Sequence, residues 1–255
     1  MQNIKKFLWL LKIGALVNIY FLINTITLPL ANTDIHILIP AQILFTTCAY
    51  RCLFPVRYTN NIVFHKSIFS SVFVTRFFAT FSEIASIYLF AYLIRILNSE
   101  QVTMINAMSW MMVIQVVVSQ CFVWGAIVTG KLILYVYEEI GWGIIFIINT
   151  IASLYLYVTL DNFSGRELLI YLNLIFGVLY LPWQIIHIRS LQLHAHKNGL
   201  QKKFDTIING LKNSIHIKNP STRLNDWGGM IGLIWATSYW ATILPTWIYL
   251  IVIYS

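Results

Sequence analysis

Arg76 and Glu83 interrupt the apolar run SIFSSVFVTRFFATFSEIASIYLFAYL, residues 67–93 of the chain. A charged side chain within a bilayer is expensive and marks an ion, proton or substrate path by default. Their spacing places both on one helical face, with Thr80 between them. At 1.5 Å rise per residue the two lie ~10 Å apart along the axis, so a bridging group is expected rather than a direct ion pair. Glu83 falls near the middle of the run; Arg76 is nearer its start, where an arginine can snorkel outward. One reading is a proton, ion or substrate site centred on Glu83, with Arg76 as counter-charge or anion ligand. The other is a structural polar network with Gln115, Gln120, Trp124, Asn149, Asn173 or Ser238.

A second set of reactive side chains gathers where apolar runs end: Arg51, Arg57, His65, Lys131, the pair Glu138-Glu139, His187, His194, His196 and Asp226. Carboxylates beside imidazoles can hold a divalent metal or do acid–base work on a lipid headgroup. Glu138, Glu139 and His187 are therefore the candidate metal ligands. Glu138 or Glu139 is the candidate general base, with Glu83 assisting. Arg51, Arg57 and Arg76 are candidate ligands for an anionic headgroup, and Trp124 for the wall of a hydrophobic pocket. Neighbouring residues point ~100° apart on a helix, so only one of the two glutamates is expected to face inward. The plain alternative is a set of charges at a membrane interface, with His194 and His196 in an exposed loop.

The elements that must position these groups are membrane spans. Of 255 residues, 58% are hydrophobic and only 10% charged, and mean hydropathy is +0.73. Soluble domains carry about 25% charged residues. Runs of ~20 apolar residues suffice to cross a bilayer as helices. Seven are expected, over residues 7–29, 36–55, 68–94, 103–131, 141–160, 168–188 and 228–252. The fold class is all-α, a polytopic bundle forming one domain. The run 36–55, with Pro40 and Arg51, is the least regular. The first run is too long for a cleaved signal peptide and closes on no small-residue site.

Charge supports an N-in orientation with the C-terminus on the opposite side. Lys5, Lys6, Lys12, Arg51, Arg57, Lys66, Lys131, Arg189, Lys197, Lys202, Lys203, Lys212, Lys218 and Arg223 then lie on the cytoplasmic side, 14 of the 17 basic residues. Arg95 and Arg166 lie outside and Arg76 within a span, as the positive-inside rule requires. The net charge of +8 thus follows from topology. It implies anionic lipid as a partner and no nucleic acid. In 199–214, Leu200, Phe204, Ile207, Ile208 and Leu211 share one face, the pattern of a helix that lies on the membrane surface or docks on the bundle. Trp235 and Trp240, like Trp124, sit deep enough to line a hydrophobic pocket. Cys48, Cys52 and Cys121 read as small apolar side chains.

Several classes are excluded by chemistry. The last span has no lysine for a retinal Schiff base. The six histidines lie at span ends or in loops, unlike haem ligands, and there are no histidine boxes. Walker, HExxH and GxSxG motifs are absent.

The stretch CAYRCLFPVRYTNNIVFHKSIFSSVFVTRFFATFSE resembles a family of polytopic membrane proteins without an assigned function. That family shows C-x-x-R-x-x-x-P, S-S-x-x-x-x-R and A-T-x-x-E. Here these are Cys48, Arg51 and Pro55, then Ser70, Ser71 and Arg76, then Ala79, Thr80 and Glu83. The family pattern continues with a tryptophan, T-x-N and E-E-x-x-W, matched by Trp124, by Thr129 with Lys131 replacing the Asn, and by Glu138, Glu139 and Trp142. A D-V-P-M-Y-like acidic segment is replaced by LPWQIIHIRSLQ, with His187 and no acid. The resemblance covers about half the chain and implies no reaction. Three readings follow: an enzyme acting on a lipid or hydrophobic substrate at the cytoplasmic face, a proton-coupled transporter using Arg76 and Glu83, or a non-catalytic subunit among other membrane subunits.

Overall fold

A computed structural model describes residues 3–28, 34–159, 167–198 and 203–254. Arg166, Leu200, Lys202 and the expected span ends at 29 and 160 lie outside them. The long helices are α1 (Lys5–Thr27), α2 (Ile35–Leu53), α3 (Val72–Leu97), α4 (Thr103–Thr129), α5 (Ile133–Thr159) and α6 (Glu167–Asn198). Then come α7 (Ile207–His216), α8 (Gly229–Trp235) and α9 (Ile243–Tyr254). Six segments are long and apolar enough to cross a membrane: α1, α3, α4, α5, Leu168–Lys197 within α6, and Gly229–Tyr254. The chain is a multi-pass, all-α membrane protein. The helix α2, 19 residues long, is continuous through Pro40 and Arg51 but is not among the six.

Helix ends differ from expectation where caps decide them. Ser71 Oγ accepts from Val74 N at 3.2 Å, so α3 starts behind a serine cap and Ser70 lies before the helix. Gly130, at φ +72°, ends α4, a left-handed position that glycine occupies without strain. The next helix starts at Ile133, so Glu138 and Glu139 lie within α5 and not at the end of the preceding span. The helix α6 runs on to Asn198, which places His194 and His196 on a helix and not in a loop. The last span is broken: between α8 and α9 a π-helical turn covers Ala236–Ala241, and Thr242 N bonds Thr237 O at 2.9 Å. Such turns open the backbone ladder and occur often at functional sites.

The chain divides into two units, one of residues up to Ala85 with Ile208–Ile253, the other Ser86–Ile207. In the first, α1 packs on α2 and on the π turn. A Cβ on Gly14 would lie 2.5 Å from that of Ala241, so the absent side chain permits this approach. Asn18 Nδ2 donates to Gly14 O at 2.7 Å and to Trp240 O at 2.9 Å, satisfying a carbonyl of the open turn. One end of this unit is closed by three short strands, β1 (Val56–Arg57), β2 (Ile62–Val63) and β3 (Asn219–Pro220). β1 and β2 are antiparallel, β2 and β3 parallel, and Asn3 bridges Arg223. In the second unit α5 packs between α4 and α6, with the Phe146 ring 4.9 Å from Phe176 and 4.4 Å from Tyr180.

Candidate functional site

The charged groups of the first unit converge. Arg76 Nη1 and Nη2 donate to Glu83 Oε1 and Oε2 at 3.2 and 2.5 Å, a fork-on-fork pair within α3. The ~10 Å axial separation expected to prevent a direct contact is instead covered by the arginine side chain. It extends along the helix toward Glu83 instead of snorkelling outward. Arg51, on α2, brings a second guanidinium to the same carboxylate, with Nη1 3.9 Å from Glu83 Oε1. That exceeds hydrogen-bond range, so the contact is Coulombic. Arg51, Arg76 and Glu83 are 7%, 1% and 5% exposed.

Aromatic faces enclose these cations. The Arg51 Cζ lies 4.5 Å from the Trp240 ring centroid and 5.3 Å from that of Tyr239, both on the π turn. Tyr58, between β1 and β2, has its ring 6.0 Å from Arg51 Cζ and 5.7 Å from Arg76 Cζ. Such faces stabilise a guanidinium without neutralising it. The cluster holds two permanent positive charges and one carboxylate, a net charge of +1 with Glu83 ionised. Buried Nε and Nη1 of Arg51 and the hydroxyls of Tyr58 and Tyr239 make no hydrogen bond among the described residues. Buried donors of this kind ordinarily have partners, and each carries a desolvation penalty when it does not.

In the second unit Glu139 meets α6. Its Oε2 accepts from Gln184 Nε2 at 2.7 Å and its Oε1 lies 3.2 Å from His187 Nε2. Gln184 Nε2 also donates to the Glu139 backbone carbonyl at 2.7 Å. Glu138 is buried, ~100° around α5 from Glu139. Glu139 and His187 are in contact, but among the described residues no three His, Cys, Asp or Glu side chains gather as a metal ligand set. Trp124 lies half-buried on α4 and belongs to this unit, whereas Arg51, Arg76 and Glu83 belong to the other.

Arg57 hydrogen-bonds backbone carbonyls of the segment before the last span. Its Nη1 donates to Asp226 O at 2.6 Å and reaches Asn225 O at 3.4 Å, holding the short helical turn Leu224–Trp227. Outside the spans, Asp226 is held below the usual carboxylate range first by the Ser221 hydroxyl and then by Arg223. His65 is held below the usual imidazole range by burial and by the charge of Lys12.

Of the expected residues, Arg51, Arg76 and Glu83 lie together in one buried cluster, with the Trp240 ring against Arg51. Tyr58 and Tyr239 gave no sequence signal, since the chain has 14 tyrosines. Compared with protein-family models, curated proteins and solved structures, the chain matches none of them, and no family is thereby assigned.

Proposed function

We propose that this protein binds the anionic group of an amphiphilic substrate within the membrane and acts as its carrier. Arg51 is the direct anion ligand, Tyr239 and Tyr58 are hydroxyl donors, and the Arg76–Glu83 pair is the rigid support. The observation that carries this reading is the unbalanced positive charge of the buried cluster, with Arg51 Nε and Nη1 lacking hydrogen-bond partners among the described residues. A carboxylate or phosphate oxygen would satisfy both. Glu83 is occupied by Arg76 on both oxygens, which makes it a poor general base and favours binding over catalysis at this site. The interrupted last span beside Arg51 supports transport, because broken helices at buried sites are common in carriers. With α2 as an additional crossing, the chain spans seven times with its N-terminus in the cytoplasm, the arrangement that best satisfies the positive-inside distribution.

A second reading rests on Glu139 and His187. A carboxylate that orients an imidazole is an acid–base pair, and it would serve an enzyme acting on a hydrophobic substrate at the cytoplasmic face.

The deciding measurement is thermal unfolding of the chain in dodecyl maltoside with added dodecyl phosphate, dodecanol or dodecyltrimethylammonium. Only the phosphate is expected to raise Tm with dose, in the parent and in Lys131→Gln but not in Arg51→Met. An equal rise in Arg51→Met, or no difference between phosphate and alcohol, would sink the anion site.

A further inference from the structure

The short strands close one end of the first unit with three segments: the start of α1, residues 54–71, and residues 208–228. Hydrogen bonds fix them together. Ile4 N donates to Thr222 O at 2.8 Å, Asn219 Nδ2 to Asn60 O at 2.6 Å, and Asn61 Nδ2 to Asn213 Oδ1 at 2.6 Å. This cap carries Lys5, Lys6, Arg57, Lys66, Lys212, Lys218 and Arg223, against Asp226 as its one acid. Lys5, Lys6, Lys66 and Lys212 are exposed.

The helix α7 presents an unusual choice of face to this cap. Gly210 and Ser214 are buried, and Asn213 bonds Asn61, so its small and polar side is docked. Its apolar side faces outward, with Ile207 and Ile208 63% and 64% exposed. At 100° per residue Leu211 and Ile215 fall in the arc between those two isoleucines, and Lys212 follows ~40° beyond Ile208. Close in the chain to Lys66, Ile68 and Phe69 are 75% and 56% exposed. A helix packed for the interior would turn its isoleucines inward. This arrangement does the reverse.

We propose that the cap is a seat for the anionic headgroup layer of the bilayer that the protein crosses. Ile208, with Ile68 and Phe69, enters the boundary between headgroups and acyl chains, and the exposed lysines contact lipid phosphates. Charge complementarity selects this occupant. Seven cations facing one acid attract an anionic leaflet, and apolar residues flanked by lysines are the pattern of an interfacial helix. The position of α7 supports the same conclusion, because it lies between the spanning α6 and the spanning Gly229–Tyr254 and cannot be remote from the membrane. The proposal stands independently of the arginine site, since it uses none of that site's residues.

The test uses the full chain with Cys121→Ser, which removes the exposed cysteine and leaves the buried Cys48 and Cys52. An environment-sensitive nitrobenzoxadiazole label is placed at Ile208→Cys. The protein is reconstituted in phosphatidylcholine vesicles with or without phosphatidylglycerol, with iodide on both sides. Blue-shifted emission, protection from iodide and quenching by lipids bearing a shallow nitroxide are expected. The shift should grow with phosphatidylglycerol, and Lys212→Gln/Lys218→Gln should abolish that growth while keeping the nitroxide quenching. Iodide quenching without nitroxide quenching would place the face in water and overturn the proposal. Protection from both quenchers would mean that protein, such as a second copy, covers the face, and would also overturn it. Nitroxide quenching blind to phosphatidylglycerol would remove the anionic headgroup from the interaction and overturn the proposed seat.

Discussion

The arginine cluster of the first unit and the Glu139–His187 pair of the second are both ionisable groups among apolar helices, yet they are built on opposite principles. Around Glu83 two guanidiniums share one carboxylate, and the excess positive charge is surrounded by aromatic faces. Around Glu139 one carboxylate is shared by a histidine and a neutral amide. The first arrangement sets two guanidiniums against one carboxylate; the second sets one carboxylate against an imidazole and an amide. A buried ion pair is by itself weak evidence for either stability or function. Stoichiometry distinguishes the two sites, and substitutions that change stoichiometry are the means to test the contrast.

The largest effect is expected from Glu83→Gln, which leaves two buried cations without their carboxylate. Breaking a buried pair from one side costs about 3–5 kcal/mol. Glu139→Gln, which keeps an acceptor oxygen for Gln184 and a neutral neighbour for His187, should cost about 1 kcal/mol. Thermal unfolding of both variants in one detergent makes the comparison. Equal losses would erase the distinction between the sites.

Within the cluster the two arginines should separate. Arg76→Lys replaces a bidentate fork by a point charge and should lower stability by about 1–3 kcal/mol. Arg51→Met removes the surplus charge from a buried position, so Tm should stay level or rise even as the response to dodecyl phosphate is lost. A marked fall in Tm for Arg51→Met would show that Arg51 is a structural member of the network rather than its anion ligand.

How much of this is legible in the sequence follows from what each signal depends on. The spans are long apolar runs, and hydropathy reads them directly. Their ends depend on caps, so Gly130 and Ser71 shift boundaries by several residues and move Glu138 and Glu139 into α5. Arg76 and Glu83 are visible because bilayer energetics makes any charge conspicuous. Their direct pairing is not, because rise per residue measures backbone separation and ignores the length of an arginine side chain. That Arg51 joins Glu83 rather than the interfacial charges depends on how α2 packs against α3, which no local pattern encodes. The role of Arg57 is hidden for the same reason, since its carbonyl partners at Asn225 and Asp226 are remote in sequence. The break in the last span is the hardest feature to anticipate. No glycine lies within Ala236–Ala241, and the π turn is accommodated by Gly14 and Asn18 on another helix.

That accommodation gives a further way to sharpen the comparison. Gly14→Val would press a branched side chain into Ala241 and displace the turn that carries Tyr239 and Trp240. Overpacking of this kind costs about 1–3 kcal/mol. The dodecyl phosphate response should weaken with it, whereas the Glu139–His187 pair, built from α5 and α6, should be unaffected. Histidine NMR on labelled protein would check the latter, and a shifted His187 signal would show that the two sites are coupled rather than independent.

The smallest effect is expected at the cap, where Asp226 meets Arg223 as an exposed counterpart of the Glu83–Arg76 pair. The same charges at the surface contribute little, because water already solvates them. The sign of their pH dependence is nevertheless fixed. The carboxyl of Asp226 is held below its ordinary range by Ser221 and Arg223, so its contribution is fully present above the unfolded-state pKa of about 3.9 and disappears as pH falls through the lower folded value. The parent and Asp226→Asn should therefore differ by a small, constant Tm offset from pH 7 down to pH 5. That offset should shrink only in more acidic solution. An offset that vanished already between pH 7 and pH 6 would show that the Asp226 carboxyl is not held below its ordinary range.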